Sequence, residues 1–219
     1  MKRILVFLCL FNLFFLTVSA EIKKIYNGDR NLNHIYLTFD DGYSAENTEE
    51  ILDILKANNV KAFFFIEGGF LSQNPILVKR IAEEQTLVNH TFSHKDITKM
   101  SDKEFIEDIK KFEDECKRIT GKMNDKKFRP PMGKINDSKM KVLEKLGYKV
   151  YLWDVSYYDY NPYNDKGVDY ALDNILKQTK NGSIILMHTL TKSNVKVLPK
   201  AIKELREKGF IFSDINEII

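Results

Sequence analysis

The sequence predicts an α/β fold, a single-domain β/α barrel of seven or eight parallel strands. Three observations point there. Apolar, β-rich runs alternate along the chain with segments of helical period. The 219 residues suffice for one full core and contain no internal repeat, low-complexity tract or Pro/Gly-rich linker. The acids, an arginine and most of the histidines fall just after the apolar runs, and the C-terminal ends of strands are where β/α folds bind ligands. A doubly wound open sheet shares the alternation and is the architectural alternative.

The elements follow in order. IYLTF (35–39) is the first strand. Asn47-Thr48-Glu49-Glu50 offers an N-cap with an acid three residues on, ahead of Ile51, Leu52 and Leu55 at helical spacing. KAFFFIEG (61–68) is a strand buried on both faces. Pro75 opens a helix, and TLVNH (86–90) is the third strand. Ser101 and Glu104 form a capping box before a long helix with Phe105, Ile109, Phe112, Cys116 and Ile119 on one face and Gly121 at its end. KFRPP (127–131) is short and extended, Met140–Leu146 is a helix stopped by Gly147, and KVYLWDV (149–155) is a strand. A helix from Tyr170 to Thr179, the strand SIILMH (183–188), a helix from Val195 to Lys208 and the strand FIF (210–212) complete the pattern.

Residues 1–20 stand apart. Lys2 and Arg3 precede a nearly unbroken apolar run that closes on Val18-Ser19-Ala20, the layout of a secretory signal. Its removal leaves 32 basic residues against 31 acidic ones. Nothing in that balance calls for nucleic acid as a partner, and none is expected. Residues 21–34 read as a polar, loosely attached extension, and 35–219 as the folded domain. The reading is of an exported monomer that touches membrane only through the signal, if uncleaved. Cys116 is then the single thiol of the mature chain and reads as a small core residue, so no internal disulfide is expected.

The informative residues lie at strand ends. Asp40 and Asp41 end the first strand, His90 the third with His94 four residues on, Arg129 the fourth and His188 the sixth. Two imidazoles and one carboxylate make a mixed nitrogen and oxygen site suited to zinc and its neighbours, such as cobalt or manganese, with a position left for water. Successive strand side chains face opposite ways, so Asp40 and Asp41 divide the work: one binds the metal, the other faces the water. Arg129 keeps that base ionised and oriented, and His188 protonates a leaving amine. The sum is a metal-assisted hydrolase of an amide or ester. A glycosidase fits less well, because its two carboxylates must face each other across a cleft.

These segments resemble the polysaccharide deacetylase family, carbohydrate esterase family 4, in four motifs taken in order. They are Thr38–Gly42 (TFDDG), His90–His94 (HTFSH), Arg129–Gly133 (RPPMG) and Leu186–His188 (LMH). The resemblance covers roughly residues 35–212. It implies a distorted β/α barrel that removes N-acetyl groups from aminosugars. It implies Asp40 as base, Asp41, His90 and His94 as metal ligands, His188 as acid and Arg129 as the residue that positions the base. WDVSYYDY (153–160), NDKGVDYA (164–171) and HTLTKSNVKVL (188–198) look like the branch of delta-lactam-biosynthetic de-N-acetylases of spore-forming bacteria. That likeness implies action on N-acetylmuramic acid in peptide-free peptidoglycan strands, leading to muramic delta-lactam in spore cortex.

Pro131, Met132, Gly133 and Leu186 come with the motifs as substrate contacts, with a backbone N–H near Met132 available to an oxyanion. Tyr157 and Tyr158 offer stacking surfaces for sugar rings, with core packing as the plainer role. Ser156 and Met132 depart from the wider family, Met132 standing where an aromatic is usual, and Asp41 departs from the lactam branch. Ser156 stands where the wider family has an acid that tunes the acidic histidine, which predicts a less basic His188; Asp154 and Asp159 flank it. Asp41 stands where the lactam branch often has Asn, which predicts a full metal triad. A deacetylase of N-acetylglucosamine is the runner-up. A noncatalytic glycan-binding wall protein is the reading that Ser156 keeps open.

Overall fold

A computed structural model of the chain describes residues 23–42, 44–122 and 125–218. The signal-like segment therefore lies outside the described residues. Among the described residues no helix is long and apolar enough to cross a membrane. In chain order the elements are β1 (Lys24–Ile25), β2 (His34–Asp41), α1 (Ala45–Ala57), β3 (Phe63–Ile66), α2 (Gly68–Gln73), α3 (Pro75–Glu84), β4 (Thr86–Asn89), α4 (Asp102–Thr120), β5 (Asp125–Phe128), α5 (Asp137–Lys145), β6 (Lys149–Tyr151), α6 (Val168–Gln178), β7 (Ile184–His188), α7 (Lys192–Glu207) and β8 (Ile211–Phe212).

All strand pairs are parallel, and the sheet runs β1-β6-β5-β4-β3-β2-β7, with β8 beside the start of β2. The neighbours β2 to β6 follow chain order without reversal. That is barrel progression; a doubly wound sheet would switch direction at its centre. The curl closes after β6, where Val155 bridges Ile185 in parallel and accepts from the Leu186 N–H at 2.9 Å.

Alternation along the strands sorts the core into two layers. Tyr36, Phe63, Phe65, Val88, Tyr151 and Ile184 fill the barrel interior. Ile35, Leu37, Phe39 and Phe64 face outward and pack under α1, α3, α4 and α7. The capping box at Ser101 and Glu104 is present in both directions, at 3.2 and 2.7 Å. Cys116 lies buried on the inner face of α4 as a free thiol.

Several sequence expectations change, among them the strand expected over 149–155, which ends at Tyr151. The first strand ends at Asp41 as expected but begins one residue earlier than Ile35, at His34. α1 begins earlier than the Asn47 signal suggests, because Ser44 is the cap and accepts from the Asn47 N–H. A short helix, α2, follows β3 directly after Glu67. The segment expected to hang loosely is built into the barrel. β1 pairs with β6, Asn27 bridges antiparallel to Ser183, and Arg30 pairs with Asp154 and donates to the Asn181 carbonyl at 2.6 Å. Unpaired backbone at the gap between β6 and β7 is costly to leave bare, and this segment covers it.

Gly182 anchors that seam. Its N–H donates to the His34 carbonyl at 2.7 Å, and its carbonyl accepts from Gly28 at 2.8 Å. Its φ is +74°, and a Cβ there would come within 2.7 Å of the Gly28 carbonyl oxygen. Gly182→Ala should therefore destabilise the fold by about 1–3 kcal/mol. Gly147→Ala, at a similar φ of +75° but with open space around the new methyl, should cost less. Thermal denaturation of the two variants checks this; equal melting temperatures would contradict the role given to the seam.

Candidate active site

The C-terminal ends of β2, β3, β4 and β7 open on a cavity of about 460 Å³ bounded by Asp40, Asp41, Glu67, His90, His94 and His188. The far wall carries Met132, Trp153, Tyr157, Tyr160 and Leu186. The polar strand-end residues thus share one cavity, with Arg129 directly beneath it. Pro131 is buried and does not line the cavity, Gly133 packs on the Trp153 ring, and Tyr158 stands outside the cavity against Tyr160.

Arg129 is fully buried. Its Nη1 donates to Asp40 Oδ1 at 2.6 Å, and its Nη2 donates to Thr38 Oγ1 at 3.0 Å and to the Leu152 carbonyl at 3.1 Å. The guanidinium lies over the Phe65 ring, 3.9 Å from its centroid. Thr38 and Asp40 sit two apart on β2, so both project into the barrel toward the same guanidinium. Burial pushes the Asp40 carboxyl up, but the charge and hydrogen bond of Arg129, with help from His90 and His188, carry it below its ordinary value. Burial also draws the guanidinium down from its ordinary value, yet a guanidinium stays protonated in proteins. The pair is ionic, and Asp40 is a carboxylate at neutral pH.

Asp41 also lines the cavity, but its carboxylate is engaged from α1 and from the residue after β7. Its Oδ2 accepts from Thr48 Oγ1 and its Oδ1 from Thr189 Oγ1, each at 2.7 Å. Burial dominates and raises this carboxyl to about 7, against the two threonine hydroxyls and the Gly42 N–H. The neighbouring acids are thus split by environment, one paired with a cation and the other with neutral donors.

The histidines are held by local structure that sequence patterns do not announce. Thr91 and His94 have φ of +71° and +51°, uncommon for residues with side chains. The loop is tied down by Asn89 Oδ1 accepting from the Thr91 N–H at 2.7 Å, Thr91 Oγ1 accepting from the His94 N–H at 3.0 Å and Asp108 accepting from the Phe92 N–H at 2.8 Å. The His90 and His94 rings lie 5.0 Å apart between centroids. His90 Nδ1 is 2.8 Å from the Arg129 carbonyl, so it carries the proton and Nε2 is left as a lone pair. Burial lowers His90 to about 4 and also lowers His94. Both are neutral imidazoles at neutral pH, the form that ligates metals.

Among the described residues no three His, Cys, Asp or Glu side chains converge into a preformed metal cage. The donor types nevertheless fit a divalent ion: two neutral imidazoles, one with its tautomer fixed by a carbonyl, and carboxylates on the same cavity wall.

His188 corrects a sequence expectation. Asp159 Oδ1 lies 2.7 Å from His188 Nδ1, and Asp159 Oδ2 accepts from the His188 N–H at 2.8 Å and from Asn194 Nδ2 at 2.6 Å. Burial works to lower His188, but the hydrogen bond and charge of Asp159, with Asp40, raise it above its ordinary value. His188 is therefore not left less basic by Ser156, because Asp159 reaches it from three residues further on. Asp154, the other flanking acid, belongs to the seam with Arg30.

An ionised carboxylate beside a raised imidazole, with two neutral imidazoles on the same cavity, has the chemical makings of a hydrolytic site for an acyl group on nitrogen or oxygen. Residues 27–151 match the family described as polysaccharide deacetylase. The chain is 35% identical over 204 residues to the peptidoglycan-N-acetylmuramic acid deacetylase PdaA of Bacillus subtilis (strain 168), covering 93% of this chain and 78% of that protein. It is 36% identical over 194 residues to a peptidoglycan-N-acetylglucosamine deacetylase of Bacillus cereus, covering 85% and 68%. The solved structure of Bacillus subtilis PdaA, a family 4 carbohydrate esterase, matches with a TM-score of 0.85 at 35% identity, over 89% of this chain and 84% of that one. The chain belongs to the polysaccharide deacetylase family and is a hydrolase of N-acetyl amides.

Replacing Asp159 by Asn removes the charge that raises His188. The imidazole midpoint of His188, followed by NMR in the Asp159→Asn variant, should move to lower pH. An unchanged or higher midpoint would contradict the pairing.

Proposed function

We propose that this chain is an exported, metal-dependent peptidoglycan deacetylase. On this reading residues 1–20 are the export signal, 21–219 the working protein, and the cell wall the place of action. The substrate we assign is N-acetylmuramic acid in peptide-free glycan strands, whose freed amine goes on to muramic delta-lactam in spore cortex. The observation that carries the chemistry is the placing of Asp40 and His188 side by side on β2 and β7, each with its own charged partner. The likeness to PdaA over nearly the whole chain supports the choice of sugar. The comparable identity to an N-acetylglucosamine deacetylase supports the second reading, the same chemistry on the other sugar.

Asp41, His90 and His94 are the residues we assign to the metal, with zinc the best match to their donor types. A divalent ion there supplies Lewis acidity toward the amide carbonyl and toward water. Asp40, kept ionised by Arg129, takes the proton of the attacking water. His188, protonated with Asp159 behind it, gives a proton from Nε2 to the leaving amine. In the turn after Arg129, the Gly133 and Lys134 N–H groups are engaged by the Pro130 and Pro131 carbonyls. The Met132 N–H, on a residue with φ of +58°, is the donor we assign to the oxyanion. Trp153, Tyr157, Tyr160 and Leu186 supply the apolar wall for the sugar and its acetyl methyl.

The test is acetate release from peptide-free glycan strands by the purified protein supplied with zinc, cobalt or manganese. Mass spectrometry of the digest identifies which sugar loses its acetyl group. Muramic acid residues should lose it, and Asp40→Asn should cut turnover about 10²–10⁴-fold. Deacetylation of glucosamine alone would favour the second reading. No acetate from either sugar would overturn both.

A further inference from the structure

The cavity holds one more acid that neither the motifs nor the proposed chemistry uses. Glu67 follows the last residue of β3, its side chain is 8% exposed, and its Oε2 lies 3.9 Å from His94 Nδ1. The carboxylate sits against bare glycine backbone. A Cβ at Gly42 would come within 2.6 Å of its Cδ and 2.7 Å of its Oε1, and one at Gly69 within 3.4 Å of its Oε1. Gly42, in the first motif, has no left-handed φ. What it provides is room, and Glu67 occupies that room.

We propose that Glu67 is a positioning residue of the cation site, acting through His94. The inference rests on reading His90 and His94 as ligands. Each imidazole must present one nitrogen to the ion and have the other held. For His90 the holder is the Arg129 carbonyl. For His94 the group facing Nδ1 is the Glu67 carboxylate. The separation, 3.9 Å, is longer than a hydrogen bond, so the proposal requires the two side chains to draw together when the ion binds. Glu67 then accepts the Nδ1 proton, directs Nε2 to the ion and raises the ligand's basicity.

The experiment measures zinc binding to the metal-free, full-length chain by isothermal titration calorimetry. Wild type, Glu67→Gln, His94→Ala and the double variant are compared, with thermal melts of the metal-free proteins to confirm folding. Glu67→Gln keeps the shape of the side chain and should bind zinc about 10–100-fold more weakly with an unchanged melt. In the His94→Ala background the same change should add no further loss. Unaltered zinc affinity in Glu67→Gln, or a full additional loss in the double variant, would overturn the proposal. Wild-type protein that takes up no zinc would overturn the ligand reading of His90 and His94, and this inference with it.

Discussion

A guanidinium with no solvent exposure, locked to a carboxylate at the mouth of the barrel, is the constraint around which the site is organised. Burying either ion alone costs several kcal/mol, and removing one partner of such a pair typically costs about 3–5 kcal/mol. Thr38, two carbonyls and the Phe65 ring surround Arg129 because its remaining donors and its flat face must also be met. Its backbone carbonyl fixes His90, and its side chain fixes the charge on Asp40. One residue thereby sets the protonation of Asp40 and the tautomer of a neighbouring imidazole.

The second organising pair, Asp159 with His188, does for that imidazole what Arg129 does for the Asp40 carboxylate. The two pairs bias their partners in opposite directions, Asp40 downward and His188 upward. The acid–base mechanism we propose uses that separation: a group that accepts a proton and a neighbour that holds one at the same pH. The strain stored in the backbone at Thr91, His94 and Met132 gathers around the same cavity, as is usual where geometry serves chemistry.

Most of this was legible in the sequence. The strands could be read because their residues alternate or are buried on both faces, and the strand-end position of Asp40, Asp41, His90, Arg129 and His188 placed them on one rim. What escaped depended on the path of loops. Asp159 reaches His188 only because the chain after β6 crosses to β7, and nothing in WDVSYYDY distinguishes it from Asp154, which turned out to serve the seam. The N-terminal segment looks like a polar tail because its work is done by backbone pairing and by Arg30, neither of which leaves a hydrophobic period. Glu67 reads as the polar end of a strand, and its contact with Gly42 exists only once β2 and β3 are in register. Thr48 and Thr189 look like ordinary helix and loop residues until both hydroxyls meet Asp41.

The most direct measurement of the central claim is kinetic and compositional at once, made on Arg129→Lys. Lysine keeps a buried positive charge but cannot reproduce the planar fork that meets Asp40, Thr38 and the Leu152 carbonyl together. Acetate release should fall at least about 10-fold, while bound metal per chain stays at the wild-type level, because His90 is held by the backbone of residue 129. Wild-type turnover in this variant, or loss of its metal, would contradict the account.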